Sequence, residues 1–271
     1  MTKTRLDFTH NGRVARLTMA LAPGNILDGG LIGELDAACR TLSGRTDLVA
    51  VVLGADGPNF SFGASVQEHR ADQIQGALAA LHGLLRRLAV LPAPTIAAVR
   101  GLCLGGGWEV VLACDLVIAE EYARFGLPEI KLGVFPPAAS VLLPVRAGAA
   151  RAAALVLTGE SIPGGDAGAM GLVARVVPPG RLDPAVDAWL ESTFLPRSAA
   201  ALRYAAATLR AGVRHALEAP LLEAERVYLE QLMKEPGATD GIEAFLARRK
   251  TDSRPSPMDD AARPLHSQPP E

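Results

Sequence analysis

The stretch LGGGWEVVLACD, residues 104–115, decides how the chain is expected to fold. Three consecutive glycines would ordinarily indicate a flexible linker, but an apolar segment of helical length follows at once. The preceding TIAAV, residues 95–99, is a continuous apolar run typical of a strand covered on both faces. A glycine run between a buried strand and a helix permits close backbone approach and leaves unpaired N–H groups at the helix N-terminus. Those groups favour negative charge in front of them, so the stretch predicts an anion or oxyanion site.

The flanking regions alternate between strand-like and helix-like segments. Apolar runs at 48–53 and 115–119 have the length of buried strands, while apolar residues recur at helical spacing over 31–42 and 74–88. Strand and helix in alternation indicate an α/β layered domain with right-handed crossover connections.

Two further patterns set the expected domain organisation. The N-terminal TRLDF and RVARLTM alternate like two short strands, joined by a tight turn at residues 11–12. Helical patterns dominate over about 141–158 and again, with many charges, from residue 184. We therefore predict a core domain over 1–183, a helical cap or interaction region over 184–250, and a disordered or extended tail over 251–271. The five prolines and few large apolar groups of that tail cannot offset the entropy of ordering.

The composition argues against several classes of function. The 271 residues are 49% hydrophobic and 21% charged, which suits a globular core, and the net charge of −2 gives no overall attraction to nucleic acid or an anionic membrane. No signal-peptide core is present, and no apolar segment reaches the roughly 20 residues that span a bilayer. Cys39, Cys103 and Cys114 are expected to be buried free thiols, and neither they nor the five histidines have metal-ligand spacing. We expect a cytoplasmic protein.

Two chemistries use amides at a helix N-terminus in this way: phosphate binding and oxyanion stabilisation. The segment GLCLGGGWE, residues 101–109, has neither the Lys-Ser/Thr of a phosphate loop nor the third spaced glycine of a dinucleotide fingerprint. An oxyanion site needs a second donor, since each donor lost typically costs about 3 kcal/mol of barrier. The candidate is NFSFGAS, residues 59–65, another glycine-containing loop after a buried strand.

Five segments of the chain resemble the crotonase (enoyl-CoA hydratase/isomerase) superfamily, and the resemblance extends over roughly residues 5–250. The segments are NFSFGASVQEH (59–69), PAPTIAAVRGLCLGGGWEVVLACDLVIA (92–119), ARFGLPEIKLGVFPPAAS (123–140), LTGESIPGGDAGAMGLVARVVP (157–178) and DGIEAFLARRK (240–250). The resemblance implies an α/β crotonase fold of repeated ββα units with a C-terminal helical region. It also implies a homotrimer or homohexamer that acts on an acyl-CoA thioester without a further cofactor or metal.

The resemblance also implies roles for four residues. The backbone N–H groups of Ala64 and Gly106 would hold the thioester oxygen, and Glu109 and Glu129 match the two catalytic carboxylates of the hydratases. Polarising the thioester carbonyl lets a conjugated acyl group accept water, and negative charge then collects on that oxygen. Two carboxyl groups on one water can divide the roles of base and acid if they differ in protonation, and proximity of like charges would raise the pKa of one of them.

Other residues would surround the substrate. By resemblance, the adenine and pantetheine pocket includes Phe60, Ser61 and Val66, the CoA phosphates meet Arg248, Arg249 and Lys250, and the acyl pocket includes Trp108, Phe135, Pro136 and Pro137. Structural alternatives stay open. Trp108 and Phe60 could belong to the core, the basic cluster could be a solvated helix end, and either glutamate could be a helix-terminal residue favoured by the dipole.

One departure points to a branch of the family. Where simple hydratases carry glycine, FPPAAS has Pro137, which offers no N–H. With SFGASVQEH, this loop most resembles the branch that hydrates cyclohexa-1,5-diene-1-carbonyl-CoA to 6-hydroxycyclohex-1-ene-1-carbonyl-CoA in anaerobic benzoyl-CoA degradation. The alternatives are a general enoyl-CoA hydratase, an enoyl-CoA isomerase, and a non-catalytic CoA- or RNA-binding homologue. Ser65 and His69 are residue types that serve in nucleophilic catalysis, but no acid partner is evident, so we expect structural roles for both.

Overall fold

The computed structural model describes residues 2–251, and for residues 248–251 it describes the backbone alone. The predicted tail and the side chains of Arg248, Arg249 and Lys250 therefore lie outside the described residues. The strands are β1 (Thr4–Thr9), β2 (Val14–Met19), β3 (Ala50–Ala55), β4 (Thr95–Val99), β5 (Leu102–Leu104), β6 (Leu116–Glu120), β7 (Arg124–Gly126), β8 (Ser161–Pro163) and β9 (Arg175–Val177).

The α-helices are α1 (Gly29–Leu42), α2 (Ile74–Leu88), α3 (Gly106–Leu112), α4 (Pro137–Ala147), α5 (Ala149–Thr158), α6 (Gly164–Ala169), α7 (Leu182–Trp189), α8 (Ala199–Leu209), α9 (Ala211–Ala216), α10 (Ala219–Glu230) and α11 (Pro236–Thr251). Short 3₁₀ turns cover Val66–His69, Pro128–Leu132 and Leu232–Lys234, and a π turn covers Leu190–Phe194.

Two sheets organise the strands. The larger has the order β1-β2-β3-β4-β6-β9, in which β1 and β2 form an antiparallel hairpin and all the other neighbours are parallel. The smaller has the order β5-β7-β8, with β5 and β7 parallel and β8 antiparallel. The smaller sheet contains the strand that leads into the glycine run, and the N–H of Gly105 donates to the carbonyl of Gly126 at the end of β7 over 2.9 Å, so this sheet fixes where the run begins.

The larger sheet is covered on both faces. Side chains from α1, α2 and α3 form the main core on one face. On the other face, Ile96 and Ile118 of the sheet pack with Val186, Trp189 and Phe194, which lie on α7 and the following π turn. Burial on both faces explains why the parallel strands have continuous apolar sequences rather than alternating ones.

A third apolar cluster joins the C-terminal helices to the rest of the molecule. Tyr228 of α10 and Ile242 and Phe245 of α11 pack with Ile74 and Leu78 of α2. The predicted boundary at residue 183 falls within α7, and the division of the chain into domains at that point stays a prediction. The helical region thus closes over the part of α2 that faces the glycine loops.

Most of the predicted elements are found, but some have other bounds and the three-residue strands β5, β7, β8 and β9 were not predicted. The helix expected from about residue 141 begins at Pro137, because proline is well suited to the first position of a helix. The strand expected over 48–53 covers Ala50–Ala55. The short strand β5 was not predicted, since a three-residue strand has too little periodicity to be distinguished from a loop and depends on its distant partner β7.

Candidate active site

The loop at residues 59–65 is held beside β5 by backbone hydrogen bonds. The N–H of Ser61 donates to the carbonyl of Leu102 over 3.0 Å, and the N–H of Leu104 donates to the carbonyl of Ser61 over 3.0 Å. At the far end of the loop, the N–H of Ser65 donates to Leu27 over 3.1 Å. These bonds bring Ala64 next to the start of α3.

The amides of Ala64 and Gly106 converge on one cleft. A Cβ atom added to Gly106 would lie 3.2 Å from the nitrogen of Ala64, and both residues line the cleft. Within the described part of the chain, neither N–H has a hydrogen-bond acceptor. Gly106 is the first residue of α3, where an N–H has no partner inside the helix. Two donors are therefore available to one external acceptor.

Two glycines make this approach possible. Gly63 has φ +98°, and a Cβ there would lie 2.9 Å from the carbonyl oxygen of Leu104. Gly105 has φ +49° and ψ −127°, a conformation that residues with side chains rarely adopt. A Cβ on Gly105 would also overlap Oε1 of Glu129. The glycine run is thus a rigid bend beside a carboxyl group rather than a linker.

Glu109 lies on the first turn of α3 and is 3% exposed. Its Oε1 accepts a 2.8 Å hydrogen bond from the backbone N–H of Ala139. Burial raises the pKa of Glu109, while the charge of His82 and the backbone N–H groups of Ala139 and Ala138 act in the opposite direction. Two backbone N–H groups and the charge of His82 thus oppose the effect of burial on the pKa of this carboxyl group.

Glu129 has a different environment. It follows β7 on a 3₁₀ turn, and its Oε2 is buried without a hydrogen-bond partner among the described residues. Burial, and then the negative charge of Glu109, raise the pKa of Glu129 to about 8. Glu129 therefore carries a proton at neutral pH, whereas Glu109 has hydrogen-bond donors that oppose the effect of burial on its pKa.

Phe135, Pro136 and Pro137 form one wall of the cleft, whose space is about 430 Å³ with the adjoining open solvent included, and both glutamates line it. Pro137 occupies the first position of α4, where the missing N–H has no helical partner to lose. The backbone N–H groups of the next two residues, Ala138 and Ala139, are the ones that act to lower the pKa of Glu109. The FPPAAS segment thus forms one wall of the cleft and also supplies the backbone N–H groups that face the carboxyl group of Glu109.

Comparison with known proteins agrees with this geometry. The family model described as enoyl-CoA hydratase/isomerase matches residues 9–254. The chain belongs to the enoyl-CoA hydratase/isomerase family. Its relatives include cyclohexa-1,5-dienecarbonyl-CoA hydratase of Thauera aromatica, which is 41% identical over 89% of this chain and 93% of its own length. Another is 2,3-dehydroadipyl-CoA hydratase of Escherichia coli K12, 36% identical over 92% of this chain and 98% of its own.

The solved structures of this family include a crystal structure of an enoyl-CoA hydratase from Mycobacterium avium subsp. paratuberculosis. It superposes with a TM-score of 0.80 at 27% identity, covering 91% of this chain and 96% of that one. The predicted crotonase fold is confirmed, and so is the prediction of a lyase of the enoyl-CoA hydratase type.

Some predicted contacts do not fit the positions found. Phe60 and Ser61 are fully buried, and the Ser61 hydroxyl donates to the carbonyl of Asn25 over 2.8 Å. Their side chains are not exposed there, and their contact with CoA stays a prediction. Trp108 lies in the main core with its ring 5.6 Å from that of Phe125 and is not among the residues that line the cleft, so its place in the acyl pocket also stays a prediction.

Three other predicted residues lie beside the cleft. Val66 lines an adjoining cavity of about 400 Å³ beneath Ile242 of α11. Ser65 and His69 line the cleft itself, but Nδ1 of His69 donates to the carbonyl of Ser65 over 2.8 Å rather than to its hydroxyl. This arrangement does not align a base with a serine nucleophile, and it fits the structural roles expected for both residues.

Three polar side chains escaped the sequence analysis: the buried His82 and Tyr228, and the half-buried Glu225 that pairs with His82. The only local signal was a histidine within the leucine-rich face of α2, between Leu81 and Leu85.

Within residues 2–251, no helix has the length and hydropathy that crossing a bilayer requires. In the same part of the chain, no three His, Cys, Asp or Glu side chains are grouped as metal ligands.

Proposed function

We propose that this protein hydrates a conjugated cyclic dienoyl-CoA, cyclohexa-1,5-diene-1-carbonyl-CoA, to 6-hydroxycyclohex-1-ene-1-carbonyl-CoA in anaerobic benzoyl-CoA degradation. One observation carries the hydratase chemistry: two unpaired amides and two carboxyl groups in unlike environments share one cleft. The amides of Ala64 and Gly106 form an oxyanion hole that holds the thioester oxygen. Each such donor typically contributes about 3 kcal/mol to lowering the barrier, because it acts on charge that develops only in the transition state.

The two glutamates divide the proton transfers. Glu109, oriented by the hydrogen bond from Ala139, takes a proton from water as the water oxygen bonds to the carbon β to the thioester. Negative charge then spreads from the thioester oxygen through the diene. Glu129 supplies the second proton, because its raised pKa keeps it protonated. The product retains a double bond conjugated to the thioester, so this proton must go to the far end of the diene.

Two features support the cyclic substrate over a straight-chain one. The wall formed by Phe135, Pro136 and Pro137 is bulky and apolar, which suits a ring in the acyl group. The Thauera aromatica relative, 41% identical, is named for the same dienoyl-CoA. The alternative within the family is a general enoyl-CoA hydratase, which the other hydratase relatives favour.

The deciding experiment compares kcat/KM for cyclohexa-1,5-diene-1-carbonyl-CoA and crotonyl-CoA with the purified protein. We expect at least a tenfold preference for the cyclic substrate, and rapid turnover of crotonyl-CoA alone would reject the proposed branch. Hydration in ¹⁸O-labelled water, followed by mass spectrometry, separates a hydratase from an isomerase because an isomerase incorporates no oxygen. Binding of acyl-CoA without turnover of any enoyl-CoA would instead indicate a non-catalytic homologue.

We further propose that the protein is a cytoplasmic homotrimer or homohexamer that needs no cofactor. The helical region supports self-association, since Tyr204, Leu209 and Leu222 are large apolar side chains that are 67%, 82% and 57% exposed. The buried free thiols Cys39 and Cys114, whose pKa values are raised to about 12 by burial, suit a reducing compartment. Sedimentation velocity of the purified protein distinguishes the two assemblies from a monomer, and activity after dialysis against a chelator tests the absence of a metal requirement.

A further inference from the structure

A tyrosine of the helical region supports the wall of the cleft that Phe135 forms. The ring of Tyr228 on α10 meets the ring of Phe135 edge to face, with the ring centroids 5.4 Å apart and an interplanar angle of 61°. Phe135 is half-buried and lines the cleft, whereas Tyr228 is 1% exposed and is not among the residues that line it. Edge-to-face contact is a preferred arrangement of two aromatic rings. Tyr228 therefore forms a second layer behind the wall.

Tyr228 shares an apolar cluster with residues from two walls of the cleft. The cluster contains Leu78 of α2, and Phe135 packs against it. Leu78 lines the cleft together with Leu81 of the same helix. In addition, α10 packs against α4, the helix that begins directly after the wall. The cluster therefore bounds the cleft on the side of the helical region.

The backbone on both sides of Phe135 is held in place. The N–H of Val134 donates to the carbonyl of Glu129 over 3.2 Å. The carbonyl of Pro136 accepts hydrogen bonds from the N–H of Ser140 over 3.0 Å and from its hydroxyl over 2.8 Å. The pyrrolidine ring of Pro136 also fixes its φ angle. The side chain of Phe135 is therefore the adjustable part of the wall, and the groups packed against its ring determine how far it can turn.

The ring of Tyr228, rather than its hydroxyl, makes these contacts. The phenol oxygen is buried and has no hydrogen-bond partner among the described residues. A buried hydroxyl without a partner lowers the stability of a fold instead of raising it. Tyr228→Phe removes this group and retains the ring, so it separates the two parts of the side chain.

We propose that Tyr228 is a specificity-determining residue: its ring holds Phe135 against the acyl group and so limits the length of acyl group that the cleft accepts. This inference rests on the proposed function, since it concerns the acyl group of the same CoA thioester. A ring extends less far from the thioester carbon than a straight chain with the same number of carbon atoms. A wall that cannot move back therefore favours a cyclic acyl group over a long straight chain. The helical region then contributes to substrate selection as well as covering the cleft.

The test is the affinity of saturated straight-chain acyl-CoAs, from butyryl-CoA to decanoyl-CoA, measured by calorimetry for the wild type, Tyr228→Leu and Tyr228→Phe. These ligands cannot be hydrated, so their binding reports the size of the pocket alone. Each methylene group that enters an apolar pocket should strengthen binding about fourfold. This gain should end at a shorter chain in the wild type than in Tyr228→Leu, which should bind octanoyl-CoA about tenfold more tightly. Tyr228→Phe keeps the ring and should follow the wild type.

Phe135→Leu and the double variant test whether Tyr228 acts through Phe135. If it does, Phe135→Leu should extend the accepted chain length by itself, and adding Tyr228→Leu should change the affinities little further. Effects of the two substitutions that multiply independently would show that Tyr228 acts on the pocket by another route, and they would overturn the proposal.

Phe194→Leu is the matched control. Phe194 forms a similar edge-to-face pair with Trp189, with 5.6 Å between the ring centroids, on the other face of the larger sheet. This substitution should lower the melting temperature, as Tyr228→Leu does, without changing the dependence of affinity on chain length.

The outcomes separate this inference from the proposed function. The same dependence on chain length in the wild type and Tyr228→Leu, or a similar change in Phe194→Leu, overturns the role of Tyr228 and leaves the hydratase proposal intact. A wild type that binds these acyl-CoAs but hydrates no enoyl-CoA overturns the hydratase proposal and leaves the role of Tyr228 intact. Failure of the wild type to bind any acyl-CoA overturns both.

Discussion

Oε1 of Glu109 lies 2.8 Å from the backbone nitrogen of Ala139, thirty residues further along the chain on the first turn of α4. An amide at a helix N-terminus is unpaired within the helix, and it carries part of the positive end of the helix dipole. The bond therefore fixes the orientation of the carboxyl group and favours its anion despite burial. Glu129 receives no such donor at its Oε2, and this difference separates the two carboxyl groups chemically.

Replacing Glu109 with glutamine removes the proposed base while retaining an oxygen that can accept the bond from Ala139. We expect kcat/KM to fall by about 10² to 10⁴, the usual contribution of a positioned base, with CoA-thioester affinity nearly unchanged. Steady-state kinetics and calorimetric binding of the substrate measure the two quantities. The exposed Glu160→Gln serves as the control and should behave like the wild type. An unchanged rate in Glu109→Gln would refute the assignment of the base.

Glu129 should produce a basic limb in the activity profile. Its pKa is raised to about 8, so kcat/KM should decline above that pH as the proposed acid loses its proton. The folded state also holds a proton that the unfolded state releases between about pH 4.5 and 8, so this group makes the free energy of unfolding fall as pH rises through that interval. The slope for one proton is at most about 1.4 kcal/mol per pH unit.

Glu129→Gln lacks this titration. Denaturant unfolding should show the variant to be more stable than the wild type at pH 8, with the difference shrinking towards pH 5. A difference that is constant with pH would show that Glu129 titrates normally in the folded protein.

Gly105→Ala should abolish activity through Glu129. A methyl group at this position would overlap Oε1 of Glu129, and the backbone at φ +49° is unfavourable for alanine by about 1–3 kcal/mol. We expect kcat/KM to fall at least a hundredfold, together with a lower melting temperature. Gly83→Ala is the control, since Gly83 lies inside α2 with open space around it. This substitution should stabilise the fold by about 0.5–1 kcal/mol. Full activity in Gly105→Ala would contradict the described packing of the carboxyl group.

Arg210 is expected to be essential for stability rather than for chemistry. This arginine, 2% exposed, forms an ion pair with Asp115 over 2.7 Å and donates to the carbonyl of Ala93 over 2.7 Å. Arg210→Ala removes the buried guanidinium and leaves the half-buried Asp115 carboxylate without its charged partner, which should lower the free energy of unfolding by about 3–5 kcal/mol. The exposed ion pair of Arg226 and Glu223 offers the comparison, because Arg226→Ala should lower the free energy of unfolding by less than about 1 kcal/mol. Equal losses in urea unfolding would disprove the distinction.

The local sequence determined the strand–helix alternation and the bends at the glycines, while the resemblance to the crotonase family singled out the two glutamates. β4 covers the predicted residues 95–99, and α2 covers the predicted 74–88, because burial on a strand or one helix face imposes a periodicity that is visible within a few residues. A glycine forced to positive φ is equally local. These features require no knowledge of distant contacts.

Tertiary structure alone decided which partners those residues have. β5 exists because it pairs with β7, twenty-two residues later, and Trp108 faces the core because Phe125 lies there. His82 acquires a partner 143 residues away in Glu225. Periodicity reports that a side chain is buried but not what it is buried against. The protonation of a buried carboxyl group depends on those neighbours, so the difference between Glu109 and Glu129 is set by the packing of separate segments and not by either local sequence.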